Sequence, residues 1–237
     1  MIWLFAAFLV AWGNVQPPLI GATAVLPGGS WAFVAAGIGL VAVSLSAAYR
    51  GRLGADALGL SRTHLVRGLA VGAVAGSSLA LLSLAAMQLA PTITGRAIVY
   101  EPLYRVSGAE LATHIAVFLP LGVVLPEELA FRGTLFGLLQ SAGTRAAIVG
   151  SGVTFALWHS AVAIVTVGDT TLAPPSPWFV PAVAGALVVV FVGGVALAAL
   201  RLRARSLGAS VAAHWTFNAV LLVGLWATKA PQPGVSQ

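Results

Sequence analysis

Long apolar runs dominate this chain and leave it few folds to choose from. About seven stretches come near the roughly 20 mainly apolar residues that a helix needs to cross a bilayer. They run approximately Ile2–Leu26 (interrupted by Pro17 and Pro18), Trp31–Tyr49, Gly68–Ala90, Glu110–Gln140, Ala146–Val167, Phe179–Leu200 and Leu207–Thr228. In lipid a backbone must satisfy its own hydrogen bonds, as an α-helix does. The period-two alternation of barrel strands is missing. Only 8% of residues are charged and 59% are apolar, against roughly 25% charge in soluble domains. A soluble enzyme and a disordered chain are thereby excluded. Coiled coil and disulfide scaffold fail for want of heptad charges and of any cysteine. The expected fold is all-α, a polytopic transmembrane helix bundle around a polar cavity. The count is about seven spans. It is six to eight because the first stretch reads also as a short span plus loop, and the fourth is too long for one straight crossing. Pro120 and Pro126 in that fourth stretch predict a kink or a break.

Charge sets the orientation. Arg50, Arg52, Arg62 and Arg67, then Arg145, then Arg201, Arg203 and Arg205 fall in loops on one side. Arg96, Arg105 and Lys229 fall on the other. The positive-inside rule then puts the N-terminus in the cytoplasm and the C-terminus outside, in a multi-pass protein of the cell membrane. The net charge of +6 is explained by this topology and does not point to nucleic acid. The first stretch lacks a basic leader, which argues against a cleaved signal peptide. Gly72, Gly76, Gly193 and Gly194 read as packing positions between helices. Tyr49, Trp178 and Trp226 read as interface residues, and His64 and His114 as interfacial.

Polar side chains inside a membrane are costly, so they mark function. Here they concentrate in three segments. In Pro126-Glu127-Glu128-Leu129-Ala130-Phe131-Arg132, Glu128 and Arg132 are four apart and share a helical face. Glu127 points about 100° away from Glu128 and lacks that partner. An uncompensated carboxylate of this kind suits a general base or acid. His159 lies deep in the fifth stretch, and His214 and Asn218 are four apart in the seventh. Carboxylate, imidazoles and amide together can activate a water and hold an oxyanion; two His and a Glu can equally bind zinc. There is no His-Glu-x-x-His helix. Ser210 is a poor nucleophile candidate, since Val211 follows it and His214 shares its helix. Asp56 and Asp169 fall in loops, so no intramembrane aspartate pair exists.

Glu127-Glu128-x-x-x-Arg132, Phe155-x-x-x-His159 and His214-x-x-x-Asn218 together resemble the CAAX-protease and bacteriocin-processing (CPBP) family of intramembrane endopeptidases. That family includes the type II CAAX prenyl endopeptidases and the lysostaphin-resistance proteins. The likeness covers roughly Arg105 to Leu225, and takes in the stretch from Val192 to Leu207 before the last motif. It divides the chain into N-terminal transmembrane helices (1–100), a catalytic core (101–228) and a short tail (229–237). It implies a cavity open to the cytoplasmic side or the bilayer, and hydrolysis of a peptide bond in a membrane-embedded or membrane-associated substrate. Glu127 and His159 would activate the water, and His214 and Asn218 would stabilise the oxyanion. Glu128 and Arg132 would support the first motif. The family has been described both as metal-independent glutamate proteases and as metalloproteases. Asn is a poor zinc ligand and a good oxyanion donor, which favours a cofactor-free enzyme. Zinc on Glu127, His159 and His214 is the alternative.

The depths do not match at first sight. Glu127 and His159 lie about thirteen residues from the cytoplasmic loops, or ~20 Å, and His214 about seven, or ~10 Å. Convergence requires tilted helices, a break near Pro126, or an Arg201–Arg205 segment reaching past the membrane. Other functions for buried ionisable groups are an ion-coupled transporter, or a silent scaffold or immunity protein of the same fold. Abundant Ala, Gly, Val and Arg beside a single Lys suggests a bacterial source, which argues against prenylated substrates.

Overall fold

The computed structural model describes residues 1–20, 30–95 and 97–228. Arg96, Lys229, the tail and the end of the first apolar stretch lie outside the described residues. The chain forms α1 (Ile2–Ile20), α2 (Ser30–Arg50), the short α3 (Ala55–Leu58) and α4 (Leu65–Thr94). A composite α5 (Gly108–Ala142) follows, then α6 (Thr144–Trp158), α7 (Ser160–Gly168), α8 (Phe179–Ala204) and α9 (Leu207–Ala227). Among the described residues the only strand-like feature is an isolated bridge between Tyr100 and Thr170. The fold is the all-α polytopic bundle expected. Five segments are long and apolar enough to cross a membrane: Trp31–Arg50, Ala55–Thr94, α5, α8 and α9. The α6–α7 pair makes a sixth if taken as one bent span, and Ile2–Gln16 is a shorter apolar helix. Large apolar side chains such as Trp3, Val66, Val74 and Val180 stand exposed around the bundle, as a lipid-facing surface requires.

Two helices depart from expectation in opposite directions. The fourth stretch does not break at its prolines. It changes pitch, with π-helical turns over His114–Val124 and Leu129–Leu135 flanking an α-helical turn at Leu125–Glu128. A π turn leaves a carbonyl out of the ordinary ladder, and a proline lacking its N–H fits there without a sharp bend. The fifth stretch, read as continuous, bends by 46° between α6 and α7, and His159 is the joint. In the first stretch α1 continues helically through Pro17 and Pro18 to Ile20.

Smaller corrections concern single residues. His114, near the start of the α5 span, is buried against the bundle. Gly72 and Gly76 do serve packing: a Cβ on either would collide with the α9 backbone at Ala209 or Ala213. Gly193 does not, since its side faces open space.

The α8–α9 corner bears on the mismatch in depth. Arg205 takes a left-handed turn there (φ 51°), and the first turn of α9, from Leu207 to Ser210, is buried. The segment after α3 covers it: the Leu207 N–H donates to the Gly59 carbonyl at 2.7 Å. Gly59 can approach because it has φ 74° and no side chain to meet the Leu207 nitrogen. Arg201, read as a loop charge, is itself buried. It donates to the Ala57 carbonyl and lies 4.7 Å from the Phe136 ring centre. The corner is thus pinned to the α3 segment, with Arg203 and Arg205 still exposed, and His214 meets Glu128 across the bundle.

Candidate active site

The α-helical turn at Leu125–Glu128 sends the two glutamates in different directions. Glu128 and Arg132 are completely buried. Arg132 Nη1 donates to Glu128 Oε1 at 3.0 Å, the ion pair that the spacing of four predicts. The guanidinium lies 3.9 Å from the Phe155 ring centre, and its Nη2 sits 3.4 Å from the Gly194 carbonyl oxygen. Gly194 leaves room for this, since a Cβ there would press on both Phe155 and Nη2. The family-like glycine on α8 therefore serves the arginine directly.

His214 completes the arrangement. Its Nδ1 donates to the same Glu128 Oε1 at 2.9 Å. Glu128 therefore ties α5 to α9 and orients the His214 ring, a link between the first and third motifs that residue spacing within one helix does not reveal. Fixing one imidazole nitrogen on a carboxylate decides what the other can do.

Glu127 is placed differently: the Trp158 side chain hydrogen-bonds to it, and it makes no ion pair as close as those of Glu128. Its Oε2 is buried and accepts no hydrogen bond from any described residue. It faces His159 Nε2 at 3.9 Å, too far for a direct bond. His159 Nδ1 lies 2.8 Å from the Phe155 carbonyl oxygen. Nδ1 is therefore the protonated nitrogen of the neutral ring, and Nε2 offers its lone pair towards Glu127. Two acceptors that far apart can both bond one water placed beside them. The side chains are 9% exposed for Glu127 and 17% for His159, so the pair retains a narrow opening that Glu128 lacks. Phe155 packs edge-on against both imidazoles, at 4.4 Å from His159 and 5.9 Å from His214.

Five of the six expected residues thus gather around Phe155. The sixth, Asn218, is half-buried on α9 one turn beyond His214. Ser210 is buried and donates to the Leu207 carbonyl, which leaves it engaged in its own helix. Asp56 lies in α3 and Asp169 just past α7, both away from this cluster. Among the described residues no group of three or more His, Asp or Glu side chains is arranged to hold a metal ion. Glu127, His159 and His214, the alternative zinc set, form no such group as placed.

A multi-pass helical membrane protein with buried carboxylate, imidazole and arginine on three packed helices is the class that fold and site define. Residues 109–220 match the family described as Type II CAAX prenyl endopeptidase Rce1-like, and every motif residue from Glu127 to Asn218 lies within that match. The resemblance read from the motifs is therefore shown at the family level, as a membrane protease family. No curated protein and no solved structure matches the chain.

Proposed function

We propose that the protein is an intramembrane endopeptidase that hydrolyses a peptide bond with a water held between Glu127 and His159. The observation that carries this is the unpartnered, buried Glu127 Oε2 at 3.9 Å from the lone pair of His159 Nε2. The water gives a proton to this pair as its oxygen attacks the scissile carbonyl. The C–N bond then breaks, and the same pair returns the proton to the leaving amine. His214, its Nδ1 held by Glu128, stabilises the oxyanion. The Asn218 amide is the second donor. Glu128 and Arg132 hold the geometry and do not touch the reacting atoms. No metal takes part in this reading. The substrate is a membrane-embedded or membrane-associated polypeptide, entering from the bilayer or the cytoplasmic side. The arginine-rich loops put the N-terminus in the cytoplasm.

The test is cleavage of a membrane-peptide library by purified protein in detergent or liposomes. Wild type should cut, Glu127→Gln should not, and both should show the same thermal midpoint. A chelator should leave the rate unchanged. Cleavage by Glu127→Gln would remove the central role of the glutamate.

A further inference from the structure

α6 and α7 part at His159, and besides the local bonds of His159 and Ser160 to preceding carbonyls a side chain of α1, outside the matched segment, enters the gap. A continuous helix would join the Leu157 carbonyl to the Ala161 N–H. Here the amide of Asn14 stands between them. Its Nδ2 donates to the Leu157 carbonyl at 2.8 Å and its Oδ1 accepts from the Ala161 N–H at 2.8 Å. The second amide proton goes to Val10 in its own helix, also at 2.8 Å. A side chain inserted in the i→i−4 ladder is a recognised cause of a sharp kink. Ser160 Oγ adds a bond to the same Leu157 carbonyl at 3.1 Å. The preceding residue makes the insertion feasible. A Cβ on Gly13 would lie 2.6 Å from the Trp158 carbonyl oxygen and collide with its indole, so only glycine lets α1 come this close.

We infer that Asn14, seated by Gly13, is a positioning residue that splits α6 from α7 and so sets the direction of His159 towards Glu127. The inference rests on the proposed water-activating role of that pair. It makes the N-terminal helix part of the working site rather than an added anchor. Removing the wedge lets Leu157 and Ala161 rejoin and the two helices straighten, which turns the His159 ring away from Glu127.

Two readouts test it. The first is independent of catalysis. The chain has no cysteine, so spin labels on Arg145→Cys and Gly168→Cys report the bend alone. Gly168 faces open space and accepts the label. Straightening a 46° bend between those sites lengthens the distance by about 2–3 Å at 1.5 Å rise per residue. Asn14→Ala should show that lengthening, and Asn14→Asp, which keeps the acceptor for Ala161, should show less of it. The second readout is kinetic. Asn14→Ala should lower kcat by roughly 10–100-fold with KM unchanged, as misplacement of a catalytic group does. Asn14→Asp should fall between it and wild type. An unchanged distance in Asn14→Ala, or a lengthened one with wild-type kcat, overturns the inference. If Glu127→Gln still cleaves, the catalytic reading fails, while the label distance still decides the wedge.

Discussion

Glu127 and Glu128 are neighbours in the chain and opposites in treatment. Glu128 lies in a closed compartment where arginine and histidine both donate to one of its oxygens. Glu127 lies one residue back, with one oxygen bonded to nothing in the protein and an imidazole just out of reach. The closed compartment is costly to build, since two buried charges must be desolvated, and it brings order by locking three helices to one carboxylate. Each carboxylate leaves its Oε2 without a hydrogen bond from the described residues, so what sets Glu127 apart is its slight exposure and its lack of the close arginine and histidine that Glu128 has. The difference separates holding a geometry from using it.

Substitutions at the two positions should therefore fail in different ways. Glu127→Gln should lower kcat by up to about 10⁴-fold, the upper range for a general base. Its thermal midpoint should stay near the wild-type value, because the amide keeps the shape and an oxygen acceptor for the Trp158 side chain. Glu128→Leu should act on the fold first. It strands Arg132 without its counter-ion, which costs about 3–5 kcal/mol. The Glu128→Leu/Arg132→Leu double variant should recover most of that loss in a detergent melting experiment, since no unpaired charge remains. A double variant as unstable as Glu128→Leu would mean that the pair is not what the compartment is built around.

Asn218, proposed above as an oxyanion donor, sharpens the contrast. As an oxyanion donor it should act on the transition state alone. Asn218→Leu should lose about 10²–10³-fold in kcat with KM unchanged, measured under steady-state cleavage. A change confined to KM would place Asn218 in substrate binding instead. Gly76→Ala probes the scaffold behind it. The new Cβ has no room against Ala213, one residue before His214, so overpacking of about 1–3 kcal/mol should appear in the melting midpoint.

The sequence made the bundle legible because lipid imposes one requirement on every span, a long apolar helix. The Glu128–Arg132 pair was legible for the same local reason, a spacing of four. What could not be read was contact between helices. The His214–Glu128 bond joins residues far apart in sequence, and neither motif alone signals it. The bend at His159 was invisible because Asn14, the side chain that enters the gap, lies on another helix while the α6–α7 sequence carries no proline or glycine at the joint. Of the prolines that signalled a break, Pro120 lies in a π-helical run, whose geometry absorbs a missing donor, and Pro126 opens the α-helical turn that follows it. The α8–α9 corner is tied to the segment after α3 through Gly59 and Arg201, a contact that charge patterning reads as a plain loop.

A third carboxylate tests whether burial or mere lack of a partner makes Glu127 special. Asp169 closes α7, outside the membrane-spanning segments, and is half-buried, with its Oδ2 covered. Partial burial, with the charge of Glu101 adding to it, raises its pKa above the usual aspartate range. A carboxyl whose folded pKa is raised stabilises the fold while protonated, and that contribution is lost as pH rises through the folded value. At neutral pH the ionised Asp169 is therefore slightly unfavourable. Asp169→Asn should raise the melting midpoint a little at pH 7, and the gap to wild type should close as pH falls through the aspartate range. The effect should be the smallest of the set and should shrink with added salt, because solvent and ions screen a charge at this position. Cleavage should be unaffected. A loss of activity in Asp169→Asn would mean that the loop between α7 and α8 reaches the substrate, and that Glu127 is not the only carboxylate with work outside the fold.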